Sequence, residues 1–261
     1  PRRPALYRRL TEPTASLPVT RLLEEPLIPA RENRRVAVVP SPAEYDPGAV
    51  AAIYRELRAQ DAGLVVFGGT TGPEGWQGSL PVIEAVVREA GGAAVIAVAT
   101  TGCPAHQSVV LITPDATIEH AATHGRGIQL GETPPPVVPT PAGNVGLLCG
   151  DEGLVPEVAR ALMLEGADIL AWPIFAPDAM TERIARARSD ENRVYTAAAW
   201  PGGAEIVAPT GAPLTISPAG TGVAMAVQGN RALSRWKDMG PGTNALTDRV
   251  PAAYEALTRQ P

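Results

Sequence analysis

Two cysteines, Cys103 and Cys149, are the whole supply of thiols in this 261-residue chain. They have neither metal-ligand spacing nor the density of a disulfide framework. That points to a reducing, cytoplasmic setting and gives no reason to expect a metal or other cofactor. No apolar run approaches the roughly 20 residues that a membrane-spanning helix needs. No lysine- or arginine-rich block stands beyond the N-terminus and the formal charge is −5, so nucleic acid is not expected as the main partner. Arg2-Arg3 has the form of a twin-arginine export signal, but residues 7–21 place no apolar stretch behind it, and that reading is rejected. The chain starts at Pro1 rather than methionine, which fits processing or a longer polypeptide.

What the chain does have is core material. Its 45% hydrophobic content fills a sizeable interior, and its length suits a single α/β sandwich domain. Residues 1–33 stand apart, as an extended arm rich in proline and arginine whose short apolar clusters (Ala5–Tyr7, Leu22-Leu23, Leu27-Ile28) keep no sustained period. Two readings stay open for it: a leader lying on its own domain, or an arm docking on another subunit. The domain proper is expected over residues 34–261.

Within the domain, short apolar runs alternate with segments of helical spacing. Strands are expected at Val36–Pro40, Leu64–Phe67, Ala94–Ala99, Ser108–Thr113, Thr117–Glu119, Val145–Cys149, Ile169–Trp172 and Val194–Ala199. Helices are expected at Pro47–Ala59, Leu80–Ala90, from Pro156 onward, and at Thr181–Asn192. Hairpin turns at Pro114-Asp115-Ala116 and Pro209-Thr210-Gly211 interrupt the βα rhythm. Two mixed sheets with helices outside therefore fit better than a doubly wound sheet.

The stretch from Gly143 to Pro173 reads strand, tight turn, helix, strand, with the turn Gly150-Asp151-Glu152-Gly153 where enzymes often display a nucleophile. This stretch resembles the signature of the nitrilase (carbon–nitrogen hydrolase) superfamily, especially its aliphatic-amidase branch. Gln107–Asp115, Ala187–Val194, Ala208–Gly211 and Asp248–Tyr254 are similar to further family segments in the same order, so the resemblance covers about residues 35–257. It implies an α/β fold of the nitrilase type, a four-layer α-β-β-α sandwich.

Family chemistry needs a glutamate base, a lysine facing the developing oxyanion and a cysteine nucleophile. Carried over position by position, the base falls on Gly69, the lysine on His124 and the nucleophile on Gly150. The polar candidates left nearby are Glu74, in a loop five residues past Gly69; Arg126, beside His124; and Glu132, which aligns with a second glutamate of the amidases. Cys149 adjoins the nucleophile position, but alternation along a strand turns it to the opposite face. Asp151 and Glu152 suit the capping of the turn before the helix.

The resemblance and its departures lead to a non-catalytic nitrilase-fold protein, a pseudoenzyme serving as a structural or interaction subunit. Association is expected as a homodimer through Val155–Glu165, by way of Val158, Ala161, Leu162 and Leu164, or with other subunits through the arm. The two glycines leave volume for a small ligand, or for Trp76, Trp172 or Trp200. The alternative is an active amidase or nitrile hydrolase with a rearranged site built on Cys149.

Overall fold

A computed structural model of the chain describes residues 4–20, 35–41, 46–72, 80–100, 105–218, 224–227 and 237–259. The first sheet contains β1 (Arg35–Val39), β2 (Ala62–Phe67), β3 (Thr70–Gly72), β4 (Ala93–Thr100), β5 (Ala105–Ile112), β6 (Thr117–Ala121) and β7 (Ile128–Gln129). The second contains β8 (Val137–Thr140), β9 (Gly143–Leu147), β10 (Ile169–Pro173), β11 (Tyr195–Trp200), β12 (Gly203–Val207) and β13 (Pro213–Pro218). The chain then returns, and β14 (Ala224–Val227) pairs antiparallel with β1. The sheet orders are β14-β1-β2-β4-β5-β6, with β3 on β4 and β7 on β5, and β13-β12-β11-β10-β9-β8. Both sheets mix parallel and antiparallel pairs.

Helices cover the outer faces. On the first sheet lie α2 (Pro47–Ala59) and α3 (Leu80–Ala90), and on the second α4 (Pro156–Leu164) and α5 (Thr181–Asn192). Local chemistry sets their limits. The Asp46 carboxylate accepts from Gly48 N at 2.8 Å and Pro47 occupies the first turn of α2. Pro156 opens α4 in the same way, and Gly166 with Ala167 closes it by donating to the carbonyls of Met163 and Leu162.

Alternation along the strands produces three apolar layers. Leu64 and Val66 of β2 point between the sheets, where they meet Val145, Leu147 and Ile169, whereas Val65 and Phe67 point out against α2 and α3. Central strand β10 is buried on both faces, which explains its unbroken apolar run. The result is the expected four-layer α-β-β-α sandwich. Strand β8 was not anticipated, because Pro134–Pro136 and Pro139 suppress the pattern. It is tolerated since β8 is the sheet edge, where a missing N–H costs no ladder bond.

Residues 4–20, within the segment read as an extended arm, form short helical turns: Pro4–Tyr7, α1 (Arg8–Thr11) and Thr14–Ser16. Leu10 and Leu17 are wholly buried against Val158, Leu162 and Trp172 of the same chain. The Arg249 guanidinium clasps the arm, donating to the carbonyls of Leu10 (2.6 Å), Glu12 (3.0 Å) and Arg9 (3.2 Å). Among the described residues no helix is long and apolar enough to cross a membrane.

Candidate functional site

Two backbone corners meet where the sheets face each other. In the second sheet, β9 runs through Leu148 and Cys149 into a 3₁₀ turn, Gly150–Leu154, before α4. Gly150 has φ +52°, the left-handed region that favours glycine. Its carbonyl accepts from Trp172 Nε1 at 2.7 Å, and the same indole packs so closely on Gly153 that a β-carbon there would collide with it. Arg188 donates to the carbonyls of Gly153 (2.8 Å) and Leu154 (3.0 Å), which pins the turn from α5. In the first sheet, β2 ends in Gly68-Gly69. Gly69 N donates to Ile174 O at 3.2 Å, and Ser41 Oγ donates to Gly69 O at 2.7 Å.

Phe175 lies between the corners. A β-carbon on Gly69 would stand 2.8 Å from Phe175 Cδ1 and 3.0 Å from the Ile174 carbonyl. One on Gly150 would stand 3.3 Å from Phe175 Cδ2 and 2.8 Å from Gln107 Oε1. A single buried ring thus borders the positions aligned with the family's base and with its nucleophile. Of the side chains expected to take this space, neither Trp172 nor Trp200 does so. Trp172 is spent on Gly153, Trp200 lies against Gly203, and Trp76 is outside the described residues. Phe175 stands two residues past the end of β10 and so enters from the second sheet.

The other sequence candidates are dispersed. Glu74 lies outside the described residues. Glu132 and Arg126 are exposed. Cys149 is fully buried, its side chain in the core between the sheets. Burial, then the nearby Glu152 and Asp151 charges, push its thiol well above the ordinary value, which opposes thiolate formation. His124 has both ring nitrogens engaged, Nδ1 with Thr123 Oγ1 (2.9 Å) and Nε2 with the Tyr7 hydroxyl (2.6 Å).

What the fold does assemble is a polar cluster around Glu152, which is wholly buried. Its oxygens accept from Thr123 Oγ1 (2.5 Å), Thr123 N (2.7 Å), Cys149 N (2.8 Å) and His120 Nε2 (3.0 and 3.1 Å). Burial raises the carboxyl's pKa, but the bonds from His120 and Thr123 and the His120 charge outweigh it, and the net shift is downward. Because the Thr123 hydroxyl donates to Glu152, it accepts from His124 Nδ1, and His124 Nε2 then accepts from Tyr7. Tyr7, raised by burial and by the Glu157 and Glu152 charges, keeps its proton for that bond. A donor chain therefore runs from the arm to the turn. His120 was missed in the sequence because the expected strand stopped at Glu119. Pairing of β6 with β5 places His120 opposite Val109, on the face toward the second sheet. Glu152, by contrast, caps the turn as its spacing from Cys149 suggests.

A second buried carboxylate behaves oppositely. Glu205 on β12 meets Arg186 Nε at 3.3 Å and leaves Oε1 without a partner among the described residues. Burial dominates there and pushes its pKa up to about 7. Among the described residues no group of three or more His, Cys, Asp or Glu side chains is placed to hold a metal ion.

A family model described as carbon-nitrogen hydrolase matches residues 93–234. Among solved structures, an amidase from Nesterenkonia sp. superposes with a TM-score of 0.72 at 19% identity, covering 89% of this chain and 99% of that one. A glutamate-to-glutamine variant of the amidase from Nesterenkonia sp. AN1, carrying the acetamide moiety of fluoroacetamide on its active-site cysteine, gives 0.71 at 20%, with the same coverages. At that identity the likeness is one of fold. No curated protein matches the chain.

Proposed function

This chain belongs to the carbon–nitrogen hydrolase family, and we propose that it carries the family fold without the family reaction, as a structural or interaction subunit of a larger assembly. The observation that carries this reading is Phe175, whose ring borders both Gly69 and Gly150. An acyl-transfer site needs a nucleophile, a base within hydrogen-bond reach and room for the substrate carbon between them. Here the two aligned positions offer no side chain, and an aromatic ring stands between them. The position aligned with the oxyanion cation is His124, whose ring nitrogens serve Tyr7 and Thr123. Cys149, on which the alternative hydrolase reading depends, lies in the inter-sheet core with its proton held.

The arm bears on how such a subunit associates. Val158, Ala161, Leu162 and Leu164 of α4, expected as a self-association face, are buried within the single chain, with Leu10 and Leu17 packed on that helix. Homodimerisation through this face requires the arm to move aside. Association that leaves the arm in place must use another surface, or the arm's outer side.

Two measurements test the reading. Purified protein incubated with a panel of aliphatic amides and nitriles is expected to release no ammonia. Release that Cys149→Ser abolishes would overturn the proposal in favour of the hydrolase. Native mass spectrometry of protein gently purified from its source is expected to give a mass above that of one chain, and a monomer alone would remove the subunit role.

A further inference from the structure

Away from the glycine corners, the arm bridges over α4 and encloses a cavity of about 370 Å³, within the ~300–1,000 Å³ range of small-molecule sites. Its apolar wall is Leu6 on the arm side, Val158, Ala161 and Leu162 on the helix side, and Pro134 with Pro135. Its rim carries four charges of both signs, Arg8, Arg9, Glu12 and Glu165. Arg9 pairs with Glu165 and with Glu12, and Arg8 Nε sits 3.2 Å from Glu12. These contacts leave several rim atoms without a hydrogen bond among the described residues: both terminal nitrogens of Arg8, Nη2 of Arg9 and Oε2 of Glu165.

A rim of this kind discriminates by charge. A carboxylate alone would face Glu12 and Glu165, and an amine alone would face two guanidiniums. Each pairs with one sign but faces the other with no group of its own to offset the like-charge penalty. A molecule with both charges a few ångströms apart and an apolar body satisfies rim and wall together. We propose that this cavity binds a free apolar α-amino acid, with its side chain against Leu6, Val158, Ala161 and Leu162, its carboxylate on the Arg8 and Arg9 guanidiniums and its ammonium on Glu165. The guanidinium fork matches a carboxylate in two-point geometry, which sets the orientation. Since Leu6 and three of the four rim charges belong to the arm, the ligand holds the arm to α4. This inference is independent of the absence of hydrolysis.

The test is calorimetric titration of the full chain with L-leucine and L-phenylalanine, beside 4-methylpentanoate and 3-methylbutylamine, which are leucine without its amino and without its carboxyl group. At least one amino acid is expected to bind with a sub-millimolar Kd, and each truncated probe to bind at least tenfold more weakly. Ala161→Phe, which fills the cavity, is expected to abolish binding, and Glu165→Gln to weaken it at least tenfold. Should Ala161→Phe fail to fold, Arg8→Ala serves instead, because that side chain is 81% exposed and its removal leaves the packing intact. A tenfold loss there supports the proposal. Absence of binding by either amino acid at millimolar concentration overturns it. So does equal binding of a truncated probe, or unchanged binding in folded Ala161→Phe or in Arg8→Ala.

Discussion

The corner at Gly69 and Gly150 and the seam between the arm and α4 are neighbouring junctions with opposite packing. At the corner, two positions without side chains leave no room, because Phe175, Gln107 and backbone atoms have closed onto them. At the seam, leucines, prolines and paired charges meet and still enclose about 370 Å³. Positions without side chains do not by themselves make a pocket. At the corner, Ile174 and Phe175, which follow β10, pack against both glycines or their neighbours and fill the space. A junction between surfaces that never shared a sheet retains the mismatch of their shapes.

Substitutions break or sharpen this contrast, and the largest effect is expected from a glutamate at the position that the resemblance aligns with the family's base. Gly69→Glu forces a carboxylate onto Phe175 and the Ile174 carbonyl in a buried site, and should lower stability by about 3–5 kcal/mol or prevent folding. Urea unfolding with intact circular dichroism at zero denaturant measures which. Phe175→Ala converts the closed corner into an open one at a cost of about 3–5 kcal/mol. If ring removal costs under about 1 kcal/mol, the ring is not the plug described above.

Glu152→Gln should cost about 2–3 kcal/mol at neutral pH, through its bonds with His120, Thr123 and Cys149 N. Its folded pKa is depressed, so that stability is present above the ordinary carboxylate range and is lost as pH falls through the folded value. The variant should show a flatter acid-unfolding curve than the parent. Glu205 has the reverse sign. Its raised pKa makes ionisation unfavourable in the folded chain, so stability declines between about pH 4.5 and 7. Glu205→Gln should raise the melting temperature by a few degrees at pH 8, and the gain should vanish near pH 5. The smallest change is at the seam. Ala161→Leu enters open space and should move stability by no more than about 0.5 kcal/mol.

Layering was legible because it rests on local rules. The helices at 47–59, 80–90 and 181–192 follow from apolar spacing and end signals, and the two-sheet arrangement from hairpins breaking the βα rhythm. Motif order drew attention to Gly69 and Gly150 but not to Phe175, since nothing in its spacing says that a residue past β10 will pack on glycines ending two other segments. His120 and Glu152 lie 32 residues apart and meet only through the register of β6 on β5. The arm showed no period because Leu6, Leu10 and Leu17 sit in surfaces contributed by different elements, so no single repeat serves them.

The clasp of Arg249 on the arm has a consequence for synthesis. The donor and the Leu10 carbonyl are 239 residues apart, so the arm is synthesised well before its clasp. At about 5–20 residues per second the ribosome leaves an interval of roughly 10–50 s between them. Throughout that time the arm's leucines have neither α4, for the first part, nor the guanidinium, for all of it. A nascent chain in this state displays an apolar hook beside a half-built sandwich, the form that chaperones hold and that another chain's finished α4 can capture.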